Sequence, residues 1–133
     1  FNLQYKTDSE SFEKPVIVHR AILGSVERLM AILLEHCSGR LPFFCSPRQI
    51  LIVPINKKVD EYCKEVKSDL SMYYTDYDDS TLTIKNKIRR GETMKYNYIL
   101  IIGNRESKNK TVNLREEGKQ IEYTLSDFMK ICK

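Results

Sequence analysis

The chain has 133 residues, of which 41% are hydrophobic and 30% charged, with a net charge of +4. That length suits one compact domain, or a smaller one plus a piece of a neighbour, and the composition is ordinary for a folded protein. No apolar run approaches the ~20 residues of a membrane span, and no signal-peptide core is present, which excludes a spanning helix from this stretch.

Phe1 opens the chain without an initiator Met, inside a strand-like FNLQY, so the sequence reads as part of something larger. Phe1, Leu3 and Tyr5 alternate with polar residues and predict a strand; TDSESFEK is a polar loop. Pro15 then starts the second strand of an antiparallel hairpin, with Val16, Ile17 and Val18 β-branched in a row and His19 ending it on the face of Ile17. A helix follows Gly24-Ser25, with Ser25 as its N-cap, and runs to about Cys37. Val26, Leu29, Met30, Leu33 and Leu34 form one apolar stripe on it, and Arg28 lies off the stripe. SGRLPFFCSP, with breakers at Gly39, Pro42 and Pro47, marks a domain boundary.

Beyond the boundary, Gln49 to Ile55 is a nearly continuous apolar run, the pattern of a buried parallel strand. Val59, Cys63, Val66 and Leu70 predict a helical face over residues 57–70, and the tyrosines between Ser71 and Tyr77 predict a short strand. Leu82, Ile84 and Ile88 suggest a helix to about Arg90, with Gly91 as its stop. Tyr98 to Gly103 is a second buried strand. Thr111–Arg115 and Gln120–Tyr123 flank EEGK, a hairpin turn. Leu125, Phe128, Met129 and Cys132 define the last helix, opened by a Thr124/Asp127 capping box. From Ser46 the expected order is β-α-β-α-β-β-β-α, an α/β fold with a mixed sheet flanked by helices.

Cys37, Cys45, Cys63 and Cys132 include no C-x-x-C pair and read as free buried thiols of an intracellular protein, rather than disulfides or a four-Cys zinc site. There is no Gly-rich phosphate loop and no G-x-S-x-G, and with only His19 and His36 a self-contained acid–base enzyme is not indicated. Nothing after Ser46 looks catalytic. Between Lys85 and Lys119 ten Lys/Arg stand against four acids, an excess that suits a polyanion or a plain solvated surface.

HRAILGSVERLMAILLEH resembles the third signature motif of the class II aminoacyl-tRNA synthetases, in the form found in the threonyl-tRNA synthetase family. LPFFCSPRQILIVPI, DEYC, NKIR, YILIIGNRE and TVNLR follow in that family's order, and the later chain resembles its C-terminal anticodon-binding domain. The resemblance covers nearly the whole chain. It implies that residues 1–36 are the tail of a class II catalytic domain, 37–45 a linker and 46–133 the anticodon-binding domain. His19 then matches a zinc ligand and Arg28 an ATP-binding arginine of the full enzyme. That enzyme would activate threonine with ATP and Mg²⁺, use Zn²⁺ to recognise it, and work as a cytoplasmic homodimer, with other synthetases or accessory proteins as further partners. The present chain would hold no cofactor, catalyse nothing alone and contribute the selection of threonine tRNA.

By the same resemblance, Arg89, Glu106 and Arg115 match anticodon readers. Arg can donate two bonds to a guanine edge, and Glu accepts from amino or imino groups. Their plain alternatives are a solvated helix position for Arg89 and a Glu106–Arg115 pair across the sheet edge. Lys85, Lys87, Arg90 and Lys95 are candidate phosphate contacts, or solubility. Tyr77 and Tyr96 could stack on bases or pack in the core. The loop Asp76–Ile84 carries extra acidic residues relative to bacterial members; Asp79 or Ser80 stands near a further base-reading position. The alternative to the whole reading is a non-enzymatic RNA-binding or accessory protein that reuses the anticodon-domain fold.

Overall fold

The computed structural model describes residues 1–116 and 118–132. The chain divides into two units, residues 1–31 and 32–133. In the first unit β1 (Tyr5–Lys6) pairs antiparallel with β2 (Phe12–Glu13), Tyr5 opposite Glu13. The expected hairpin forms, but its second strand lies before Pro15. Val16, Ile17 and Val18 adopt no strand and are 92%, 62% and 85% exposed. A β-branched run becomes a strand only when a neighbour pairs its backbone groups, and none does among the described residues. His19 is therefore on an exposed irregular segment.

Helix α1 (Val26–His36) begins where Ser25 predicts. The Ser25 hydroxyl oxygen accepts from the Arg28 N–H at 3.4 Å, and Leu29 N–H donates to the Ser25 carbonyl at 3.0 Å. No residue of α1 is buried; of the stripe, Leu29 and Leu33 are half-covered while Val26, Met30 and Leu34 remain exposed.

The second unit is a five-stranded mixed sheet in the order β4-β3-β5-β6-β7. Its strands are β3 (Ile50–Pro54), β4 (Thr75–Tyr77), β5 (Tyr98–Ile102), β6 (Thr111–Glu116) and β7 (Lys119–Thr124). β3 pairs parallel with β4 and β5, whereas β5–β6 and β6–β7 are antiparallel. The helices are α2 (Asp60–Asp69), α3 (Ile84–Thr93), α4 (Asn104–Asn109) and α5 (Leu125–Ile131). One sheet face presents Ile50, Ile52, Leu100, Ile102, Val112 and Leu114, all at most 1% exposed, to α2 and α5. Val59, Cys63, Val66 and Leu70 fill that layer from the α2 side, and Phe128 and Cys132 from α5. The predicted α2 stripe is thus the core stripe. Thr124 caps α5 through its hydroxyl oxygen, which accepts from the Asp127 N–H at 3.2 Å. The opposite sheet face packs Leu51, Val53 and Ile99 under α3.

The second unit also departs from expectation around α3 and α4. Gly91 does not stop α3, which continues to Thr93. A Cβ at Gly91 would stand 2.6 Å from Leu51 Cδ2 and 3.0 Å from Ile99 Cδ1, so the missing side chain lets the helix lie close on the sheet. Helix α4 was not foreseen, because NRESKN has no apolar stripe. It forms where Gly103 ends β5: the Gly103 N–H donates to Glu106 Oε2 at 2.9 Å and closes the first turn. Glu117 of the expected EEGK turn lies outside the described residues; the strands on either side pair from Thr111 opposite Thr124 to Glu116 opposite Lys119. All four cysteines are free thiols, but only Cys63 and Cys132 are buried; Cys37 is half-buried and Cys45 exposed.

Candidate nucleic-acid interface

The α3 face of the sheet is covered by that helix only over its β3–β5 side. Register carries the same face outward. Ile99 stands opposite Arg115 and Arg115 opposite Gln120; in the next row Ile101, Asn113 and Glu122 are aligned. The apolar floor under α3 thus gives way to a polar surface on β6 and β7. From α4, Arg105 reaches the Glu122 carboxylate at 2.6 Å, and the Thr111 hydroxyl donates to the same group at 2.6 Å. The Thr111 hydrogen bond, then the Arg105 charge, hold the Glu122 carboxyl below the ordinary carboxylate range.

Where α3 borders this surface, Ile84, Lys85, Ile88, Arg89, Glu92 and Arg115 line a hollow of 500 Å³. Arg89 and Arg115, far apart in sequence, therefore meet on one surface. Arg115 is half-buried and its Nε donates to Glu92 Oε1 at 3.1 Å, a pair that fixes the guanidinium plane. The Arg115 terminal nitrogens have no partner among the described residues. Arg89 is exposed, and its guanidinium makes no ion pair among those residues.

Glu106 lies elsewhere. Its side chain is 10% exposed, Oε2 serves the Gly103 N–H, and Oε1 lies 3.9 Å from Arg105 Nε. It neither pairs with Arg115 nor lines the hollow. Oε2 closes the α4 cap, which Gly103 permits because a Cβ there would stand 2.9 Å from that oxygen.

The four candidate phosphate lysines and arginine also separate. Lys85 and Lys95 are exposed. Lys87 is 6% exposed, its Nζ donating to the Asp78 carbonyl at 2.8 Å and lying 4.0 Å from the Asp78 carboxylate. It is a buried staple between α3 and the acidic loop, not a surface cation. Arg90 is exposed but lines a hollow with Asp76, Asp78 and Asp79, an environment that offsets its charge. Asp79 and Ser80 line a separate hollow with Lys57 and Lys64 at the carboxyl ends of β3 and β4.

Tyr77 and Tyr96 pack against the two cores. Tyr77 donates to Asp60 Oδ1 at 2.7 Å and Tyr96 to Asp76 Oδ2. Burial first, then the Asp76 hydrogen bond, pushes the Tyr96 hydroxyl up to about 12, so it stays a donor at neutral pH. Arg105, Asn113, Gln120 and Glu122 were missed from the sequence. The alternation of β6 outward from Arg115 is the signal that points to Asn113.

His19 and Arg28 are exposed. Among the described residues no three His, Cys, Asp or Glu side chains come together as a metal site, so His19 alone does not fit a zinc ion. No helix is long and apolar enough to cross a membrane among the described residues.

The family described as "Anticodon binding domain" matches residues 49–133. The cytoplasmic threonine–tRNA ligase of Saccharomyces cerevisiae is 43% identical over 98% of this chain and 19% of its own length. A probable cytoplasmic threonine–tRNA ligase of Dictyostelium discoideum is 46% identical over 100% of this chain and 20% of its own length. Among solved structures, the RNA binding domain of threonyl-tRNA synthetase from Cryptosporidium parvum superposes with a TM-score of 0.82 at 42% identity, over 98% of this chain and 34% of that one. The chain spans about a fifth of the length of the curated relatives it matches. A sheet face that turns polar on β6 and β7, a basic helix at its border and a family match over that same sheet converge on one assignment: the chain belongs to the anticodon binding domain family.

Proposed function

We propose that this chain is the anticodon-reading part of a threonine–tRNA ligase and selects threonine tRNA for it in the cytoplasm. The observation that carries the reading is the meeting of Arg89 and Arg115 in one hollow beside an open polar sheet face. RNA sequence is read on bases that have left the stack, because the A-form groove hides their edges, and this hollow is open enough to admit one. With Nε held by Glu92, Arg115 presents its two terminal nitrogens end-on, a fork that matches O6 and N7 of guanine. Arg89 and Lys85 supply the cationic rim, and Glu106 acts through the cap that holds α4 and Arg105 beside the sheet. Residues 46–133 form the reading domain and residues 1–36 the end of a catalytic domain.

In the whole protein, activation of threonine would use ATP and Mg²⁺, with Arg28 on the nucleotide. A zinc site would need further ligands, because among the described residues His19 belongs to no group of three such side chains. Dimerisation and contacts with other synthetases belong to the same proposal.

The test is fluorescence anisotropy of the chain with a threonine anticodon stem-loop and a control with its second and third anticodon bases swapped. A bidentate Arg–guanine contact discriminates by about 1–3 kcal/mol, so the native loop is expected to bind roughly five- to a hundredfold more tightly. Arg115→Ala removes that preference. Equal, salt-sensitive binding of both loops by the unaltered chain would overturn base reading in favour of a basic accessory surface.

A further inference from the structure

On the other side of the Arg115–Glu92 pair lies a second hollow, of 320 Å³, whose walls include Arg40, Lys95, Tyr96, Asn97 and the pair itself. Among the described residues its lining has three cations, Arg40, Lys95 and Arg115, and one carboxylate, Glu92, which is already bound to Arg115. The Arg40 guanidinium is fixed by donating from Nη2 to the Asn97 carbonyl at 3.2 Å. Asn97 is itself anchored, its Nδ2 donating to the Leu41 carbonyl at 2.8 Å, while its buried Oδ1 has no partner among the described residues.

Lys95 adds an independent observation. Helix α3 ends in a Schellman motif, with the Tyr96 N–H donating to the Gly91 carbonyl at 3.2 Å and the Lys95 N–H to the Glu92 carbonyl at 3.1 Å. The residue at Lys95 must be left-handed, and it has φ +62°. Glycine or asparagine is the natural occupant of that position, so a lysine there is held against local preference. Lys110, left-handed at the end of α4, uses its ammonium on Glu65 at 2.6 Å and on the Tyr62 ring at 4.7 Å. Lys95 makes no such contact among the described residues; it is exposed and lines this hollow as well as a neighbouring one beside Arg48 and Asp76.

We propose that this hollow is a second RNA subsite, in which Lys95 and Arg40 hold the backbone phosphate of the nucleotide next to the one read by Arg115. The subsite rests on the anticodon-reading assignment for its ligand, and the Arg115–Glu92 pair is the shared wall between the two hollows. Base identity is read on one side of that wall and strand position on the other.

The test is Lys95→Gly in the full chain, with Lys95→Asn as a second variant suited to the left-handed backbone. Both should melt no lower than the unaltered protein, since each relieves the backbone. Anisotropy with the threonine anticodon stem-loop and its swapped control, from about 50 to about 200 mM salt, should show both loops weakened by the same factor. Losing one single-strand phosphate contact lowers the slope of log affinity against log salt by about 0.7, a loss of roughly fivefold near 0.1 M. The ratio between the two loops should not change. Affinity and slope equal to those of the unaltered protein would overturn the subsite and leave base reading intact. An unaltered chain without loop preference, combined with the expected slope loss, would overturn base reading and support the subsite. Failure of the unaltered chain to bind either loop would overturn both.

Discussion

Lys87 offers a direct test of whether this surface is read correctly, because pattern and structure assign it opposite roles. As a phosphate contact it could be removed without harm to the fold. In the structure its side chain is 7% exposed and that of Asp78 8% exposed, with Nζ 2.8 Å from the Asp78 carbonyl. Lys87→Met keeps the stem and removes the ammonium, leaving a buried carbonyl without its donor and a carboxylate without its countercharge. A charged hydrogen bond contributes about 1.5–3 kcal/mol, and breaking a buried pair costs about 3–5 kcal/mol. The carboxylate contact, at 4.0 Å, is a weak one, so about 2–3 kcal/mol is the expected loss. For a unit of this size that lowers the melting temperature by roughly 10–20 °C, followed by circular dichroism. Adding Asp78→Asn should recover part of it, because the unpaired charge is then gone. A Lys87→Met protein that melts within about 3 °C of the original and loses salt-dependent RNA affinity would refute the buried-staple assignment.

Three further outcomes follow from buried groups. Burial raises the Asp78 carboxyl, but hydrogen bonds from Ser80 and the charges of Lys87 and Arg90 outweigh it and hold the group below its usual range. A depressed folded pKa stabilises above the unfolded value and the stabilisation is lost as pH falls through the folded one. Stability should therefore decline below about pH 4, and Asp78→Asn should make that acid limb of the unfolding curve shallower. Gly91→Val should destabilise by about 1–3 kcal/mol in urea titration, since even a Cβ would stand 2.6 Å from Leu51; unchanged stability would mean that α3 does not seat on the sheet there. Burial pushes the Cys63 thiol up to about 12 and Cys132 to about 11. A thiol reagent at about pH 8 should accordingly label Cys45 first and Cys63 and Cys132 only on unfolding, as mass spectrometry of the adducts would show.

What the sequence determined by itself was whatever depends on neighbours along the chain. Ile50–Pro54 and Tyr98–Ile102 are apolar on both faces, and such runs become interior strands wherever they are placed. Val59, Cys63, Val66 and Leu70 repeat at helical spacing, and Ser25 and Thr124 satisfy helix N–H groups a few residues on. Arg89 and Arg115 could be named from matching motifs, although nothing local says that they share a hollow.

Only the tertiary structure decided the rest, because each remaining case depends on what the fold brings beside a residue. Val16–Val18 have strand chemistry but no strand beside them. Gly91 reads as a helix stop until Leu51 and Ile99 are seen beneath it. Lys87 and Lys95 are both basic residues near one helix, yet Asp78 draws one inside and the Schellman turn points the other at an open hollow. Glu106 has the chemistry of a base reader, and only the fold shows that one of its carboxylate oxygens accepts from the Gly103 N–H three residues back once β5 ends there. Charge and hydrogen-bonding capacity are written in the residue; whether a ligand can reach them is set by what the fold packs against it.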